Sequence, residues 1–128
     1  MNRKYLYTAF VWFIIVLVLV CLPGSNLPKP DNWMKILYLD KLIHTFLFGV
    51  LAFLFMRPVL FSGITQKKKV EWLLFIMIAT SMWGITTEFI QKYLVTGRSF
   101  ELADWLADTC GAIFAFIFAR KTQLKKAH

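Results

Sequence analysis

Leu102–Ala119 reads LADWLADTCGAIFAFIFA, a run that opens with two carboxylates one helical turn apart and closes almost wholly apolar. At 100° per residue, Asp104, Asp108, Gly111, Ala112, Ala115 and Ala119 share one side of a helix, with Phe114, Phe116 and Phe118 mostly opposite. Such a run can cross the hydrocarbon core of a bilayer, about 30 Å thick. Small residues let helices approach closely in lipid, so the Asp–Gly–Ala stripe predicts a face turned toward other helices. A charge near hydrocarbon costs about 2.5–3.5 kcal/mol or more, which makes both aspartates functional candidates.

Three further apolar stretches accompany it: Leu6–Leu22, Leu42–Phe55 and Val70–Ile90. The 128 residues are 59% hydrophobic with a mean hydropathy of +0.61, against about 45–50% apolar for an average globular chain. The first, third and fourth stretches have spanning length directly. The second reaches it only by including Asp40 and a snorkelling Arg57. The expectation is an all-α, integral membrane four-helix bundle, a single domain over 1–128 with helices near 5–22, 40–57, 70–92 and 102–120. Arg3 and Lys4 before an apolar run also describe a signal peptide, but no A-x-A-like site follows and Val18-Leu19-Val20-Cys21 is a poor lipoprotein box. The first segment is therefore read as a helix. Cys21 and Cys110 read as packing thiols.

Charge sets the orientation. Arg3, Lys4, Arg57, Lys67, Lys68, Lys69, Arg120, Lys121, Lys125 and Lys126 flank the spans on one side, leaving Lys29, Lys35, Lys41, Lys92 and Arg98 on the other. The positive-inside rule predicts both termini and the second loop in the cytoplasm. Of the acids, only Glu71 then lies inside. The net charge of +8 reads as anchoring to anionic lipid; short basic patches beside spans exclude a nucleic-acid role. The first loop, Pro23–Leu39, carries turn signals and no helix; the second helix is expected to end at Arg57-Pro58, with Lys67–Lys69 in a short turn. Val95–Phe100 is a tight loop holding Gly97-Arg98. Trp33, Tyr38, Tyr93 and Trp105 read as interfacial aromatics on one face, Trp72 on the other.

Thr80, Gly84, Thr87, Glu88 and Gln91 form a stripe on the third segment, and Asp40 and His44 are an i, i+4 pair on the second. Asp108 lies roughly 10 Å along its helix from Glu101. Three helices are thus expected to converge on a shallow pocket open to the outside, with Arg98 above it. Each residue also has a plainer reading. Asp40 can be an N-cap, Asp104 can sit at a helix positive end, Arg98 can be a counter-ion to Glu101, and His44 a hydrogen-bonded core histidine. Glu88 sits near a helix C-terminal end, where the dipole disfavours an anion; Gln91 can donate an amide hydrogen bond to it. Taken together, the set can also be a polar network that locks the bundle.

The order Asp40-Lys41-x-x-His44-x-x-x-Phe48-Gly49, Glu88-Phe89-Ile90-Gln91, Gly97-Arg98, Asp104 and Gly111 resembles the VanZ-like family of small bacterial membrane proteins. Glu101 stands where that pattern usually has Asp, and Asp108 where it usually has Asn. The resemblance implies a bacterial inner (cytoplasmic) membrane protein of the cell envelope, related to antibiotic response, since the family is named for a member linked to low-level teicoplanin resistance. It implies no reaction. A phosphotransbutyrylase label on some relatives does not suit a chain with no room for an acyl-CoA site.

Two functions follow. In one, Asp40, His44, Glu88, Gln91, Arg98, Asp104 and Asp108 bind an envelope lipid or glycopeptide-type ligand, Arg98 meeting an anion and the acids a cation or amine. In the other, a membrane-embedded hydrolase or transferase uses His44, Glu88, Asp104 and Asp108 as general base, acid or ligands to a divalent metal such as Zn²⁺. No H-E-x-x-H signature or evident Ser or Cys nucleophile accompanies them. Proton-coupled transport by an oligomer ranks third, because no ionisable residue sits at mid-depth in the first segment.

Overall fold

A computed structural model describes the backbone of residues 3–23 and 33–126 and the side chains of 4–23 and 39–123. Four helices account for nearly all of it: α1 Arg3–Val20, α2 Trp33–Leu60, α3 Gln66–Leu94 and α4 Leu102–Lys126. Among the described residues there is no strand. Three stretches are long and apolar enough to cross a membrane, Leu39–Leu60, Gln66–Leu94 and Leu102–Gln123. α1 is apolar but shorter, over Lys4–Val20. The second segment, expected to be marginal, is therefore comfortably long, and the first is the short one.

Four boundaries differ from the sequence reading by three residues or more; one is the end of α4, which runs to Lys126 rather than stopping near 120. α2 begins at Trp33 rather than near Asp40. Every breaker in that loop precedes Trp33, and Trp33–Leu39 contains neither Gly nor Pro. Gly24, Pro28, Pro30 and Asn32 lie outside the described residues, as do the side chains of Trp33 and Tyr38. At its other end α2 continues through Pro58 to Leu60. Pro58 removes one backbone donor close to the helix end, a loss that spanning helices tolerate, and Arg57 lies 4.7 Å from the ring centre of Tyr5. Finally, α3 begins at Gln66, so Lys67–Lys69 form its first turns. Lysine is a good helix former, and the Lys69 ammonium donates to the Leu60 carbonyl at 3.2 Å, capping α2.

The predicted stripes are the buried ones. Thr80, Gly84, Thr87, Glu88 and Gln91 are all buried on α3, and Asp104, Asp108, Gly111, Ala112, Ala115 and Ala119 on α4. Phe114 and Phe118 are 65% and 60% exposed, as lipid-facing side chains should be, while Phe116 packs partly against the core. Trp72 and Tyr93 are exposed. Trp105 is half-buried, and its indole N–H donates to the Ser81 carbonyl at 3.0 Å, tying α4 to α3. α1 packs through Val16 and Val20 against Leu47, Phe48 and Leu51 of α2, with the Trp12 indole donating to Leu47 at 3.1 Å. Cys21 and Cys110 are free thiols.

The most extensive contact joins α2 to α4, and it closes backbone to backbone. A Cβ on Gly111 would stand 2.2 Å from the Thr45 carbonyl oxygen and 2.8 Å from the Gly49 nitrogen. No rotamer change relieves a clash with main chain, so only glycine fits. Gly111→Ala is expected to destabilise the bundle by about 1–3 kcal/mol or more. Gly63→Ala, which meets nothing within 4 Å, should be nearly neutral. Thermal unfolding of both variants in detergent checks the contrast.

Candidate functional site

Just above this crossing, toward the loop that joins α3 to α4, the ionisable residues of three helices meet. Lys41 on α2 reaches three carboxylates: Asp40 at 3.3 Å, Glu101 at 2.9 Å, and Asp104 in direct contact. An ammonium has three N–H donors, so this arrangement saturates it. One turn further in, His44 Nδ1 lies 2.9 Å from Asp108 Oδ1, and Nε2 lies 3.7 Å from Asp104 Oδ2. Exposure falls along this series, from side-chain values of 46% at Glu101 and 33% at Asp40 to 4% at His44 and Asp104 and 0% at Asp108. The result is an accessible rim above a buried floor.

Glu88 enters the floor from α3. Its Oε2 accepts the backbone N–H of Glu101 at 2.8 Å, and Glu101 is the residue immediately before α4. In a capping box, the glutamate at the third helical position reaches back to that same N–H. Here the third position is Asp104, which is engaged by Lys41, and Glu88 supplies the cap from another helix. A carboxylate disfavoured by the C-terminal dipole of α3 thereby faces the N-terminal dipole of α4.

Gly84 makes room for Asp108. A Cβ at position 84 would lie 2.9 Å from Asp108 Oδ2, so the carboxylate rests against bare α3 backbone one turn before Glu88. Among the described residues, neither Asp108 Oδ2 nor Glu88 Oε1 has a hydrogen-bond partner, although both are buried. Donor atoms of His44, Glu88 and Asp108 lie within 4.8 Å of one another, as do those of Asp40, His44 and Asp104.

A family model described as VanZ/LLP1 matches residues 5–124. The chain belongs to the VanZ/LLP1 family. No curated protein and no solved structure matches it. With three helices of spanning length, it is a VanZ-like membrane protein.

Five of the seven site residues read from the VanZ/LLP1 sequence do meet: Asp40, His44, Glu88, Asp104 and Asp108. Two do not join them. The Gln91 amide donates to the Val20 carbonyl at 2.9 Å, so it caps the last turn of α1 instead of serving Glu88. Arg98 makes no ion pair among the described residues, and its buried Nε has no partner; Glu101, its expected counter-ion, pairs with Lys41. The N-cap reading of Asp40 falls with the earlier start of α2, whereas Asp104 does lie in the first turn of α4. Lys41 and Glu101 are the members that sequence reasoning missed. A signal existed, since five carboxylates on one face need a counter-ion and Lys41 is one turn from His44. Apolar grooves lie elsewhere among the described residues, one of about 310 Å³ beside the Gly49–Gly111 crossing.

Removing His44 or Asp108 alone strands its partner in a buried place, with an expected loss of about 1–3 kcal/mol. The double variant His44→Ala/Asp108→Ala strands neither. Its loss should fall short of the sum of the single losses by more than the roughly 0.6 kcal/mol typical of interhelical hydrogen bonds in membranes. A double-mutant cycle on unfolding in detergent measures that difference.

Proposed function

We propose that this is a multi-pass bacterial inner-membrane protein with both termini in the cytoplasm. Its extracytoplasmic polar rim binds the amine-bearing headgroup of an envelope ligand. The orientation rests on the positive-inside bias of the flanking lysines and arginines. The single observation that carries the binding reading is the excess of acid in a cluster with an accessible edge. Among the described residues, Asp40, Glu88, Glu101, Asp104 and Asp108 have Lys41 and His44 as their basic partners; Asp40 and Glu101 keep solvent access while the other three are buried.

A primary ammonium donates up to three hydrogen bonds and matches such a rim as Lys41 already does. Arg98 supports the anionic half of the ligand: it lies on the loop that carries Glu101, and the guanidinium fork suits phosphate. The chemistry indicated is a primary amine beside a phosphate or carboxylate. An ethanolamine-type lipid and an amine-bearing glycopeptide are the two sources of it. Antibiotic response, which family membership suggests, would follow from either.

A second reading keeps one specific observation in its favour. His44 held by a buried carboxylate has the form of an oriented general base, as an envelope-lipid hydrolase or transferase would need. Turnover of an envelope lipid by the purified protein, abolished in Glu88→Gln, would decide for it.

The binding reading is tested by thermal unfolding in detergent supplemented with phosphatidylethanolamine, phosphatidylcholine or phosphatidylglycerol, and in a parallel arm with an amine-bearing glycopeptide. A ligand at 100 times its Kd adds about 2.7 kcal/mol, which is a shift of several degrees. Phosphatidylethanolamine should raise Tm where phosphatidylcholine, whose quaternary nitrogen has no N–H, does not. Arg98→Gln and Glu101→Gln should each reduce the gain. A gain confined to the glycopeptide arm assigns that source, and no gain in either arm contradicts the reading.

A further inference from the structure

We propose that His44, Glu88 and Asp108 form a buried site for one divalent transition-metal ion. The site lies at the floor of the cluster and goes beyond headgroup binding at the rim. Three donors from three different helices, α2, α3 and α4, lie within 4.8 Å of one another and are all buried. Proximity of acids alone would not mark a site. The second observation is that two carboxylate oxygens at this floor, Glu88 Oε1 and Asp108 Oδ2, are buried without a partner among the described residues. A buried carboxylate oxygen left without a donor or cation is costly. Native proteins rarely leave such groups unmet.

The remaining contacts fit a ligand set. Glu88 is held from behind by the Glu101 N–H on Oε2, which leaves Oε1 free. Asp108 Oδ1 lies 2.9 Å from His44 Nδ1, a contact that the ion would replace by taking that nitrogen as a ligand, and Oδ2 has no partner of its own. With Nδ1 on the Asp108 side, His44 Nε2 lies toward Asp104 Oδ2 at 3.7 Å. That distance is an ion-pair contact, longer than a hydrogen bond, and it leaves Nδ1 as the ring nitrogen on the side of Asp108. Gly84 leaves room for the Asp108 carboxylate itself against α3.

The neighbouring trio of Asp40, His44 and Asp104 is the weaker alternative. The Lys41 ammonium already binds both of its carboxylates, and Asp40 is partly exposed. One imidazole with two carboxylates suits Zn²⁺ or Mn²⁺ better than Mg²⁺, which prefers all-oxygen shells that retain water.

The test uses untagged full-length protein in detergent without ethanolamine lipid, in a Cys21→Ser/Cys110→Ser background that removes thiol ligands. Zn²⁺ is titrated by calorimetry, and retained metal is measured by elemental analysis after gel filtration. The expected result is one Zn²⁺ per chain, with Mg²⁺ unable to displace it and Tm raised by Zn²⁺. Outer-shell partners alone are worth about 10–100-fold in metal affinity, so Glu88→Gln should weaken Zn²⁺ by at least about 100-fold. Glu71→Gln, at an exposed acid outside the cluster, should leave it unchanged, and circular dichroism confirms that both variants stay helical. No stoichiometric Zn²⁺ in the parent protein overturns the proposal, as does retention in Glu88→Gln or loss in Glu71→Gln. Because no headgroup is present, failure here leaves the rim reading standing, and failure of the lipid test leaves this one.

Discussion

The close approach of α2 and α4 at Gly49 and Gly111 is the constraint on which the rest depends. Two backbones that meet without side chains between them leave little freedom in the register of the helices. Once Gly111 sits against Thr45 and Gly49, the residues one and two turns away must face each other. His44 meets Asp108, and Lys41 meets Asp104. In the other direction along the same helices, Ala52 and Met56 meet Ala112, Ala115 and Ala119 in an apolar cluster. One crossing thus divides the interface into a polar end and an apolar end, and α3 closes both with Glu88 and Gly84 at one and Leu73 at the other.

The polar end is an electrostatic solution with a remainder. Lys41 neutralises the rim by serving three carboxylates at once, and His44 serves the aspartates beneath it. Glu88 gains from the dipole of a helix other than its own. These contacts account for most of the acid placed near hydrocarbon, where an unpaired charge is expensive. They do not account for all of it: the carboxylates outnumber the bases, and two buried oxygens are left over. A cluster whose only task was to lock helices together would gain from an amide or a second base at those positions. That surplus of acid is what supports the proposal of a cationic ligand over a purely structural network.

Much of this was legible in the sequence because helical phase and small residues speak directly to which face is buried. Every residue of the Thr80–Gln91 stripe and of the Asp104–Ala119 stripe is buried. The parts that differ share a physical cause: a local signal is overridden by what the rest of the fold brings against it. Asp40 looked like a cap because it is the first acid before an apolar run, yet the helix had begun seven residues earlier. Pro58 looked like a stop, although a spanning helix can lose one backbone bond near its end. Gln91 and Glu88 are neighbours in sequence on α3, but their partners, Val20 on α1 and Glu101 before α4, lie in segments that only the fold brings near. The role of Lys41 is hidden for the same reason: the sequence shows it beside Asp40, but as the hub of three carboxylates it depends on a contact across 63 positions.

The most direct measurement of this account is a solid-state NMR distance in lipid bilayers between ¹⁵N-labelled histidine and ¹³C-labelled aspartate. The chain has only two histidines, and His128 lies at the basic tail, so the imidazole signals are readily assigned. The account predicts a strong dipolar correlation between His44 Nδ1 and the Asp108 carboxylate carbon, joining α2 to α4 across a contact of 2.9 Å. A His44 imidazole that correlates only with Asp40 on its own helix, or with no aspartate, would contradict it.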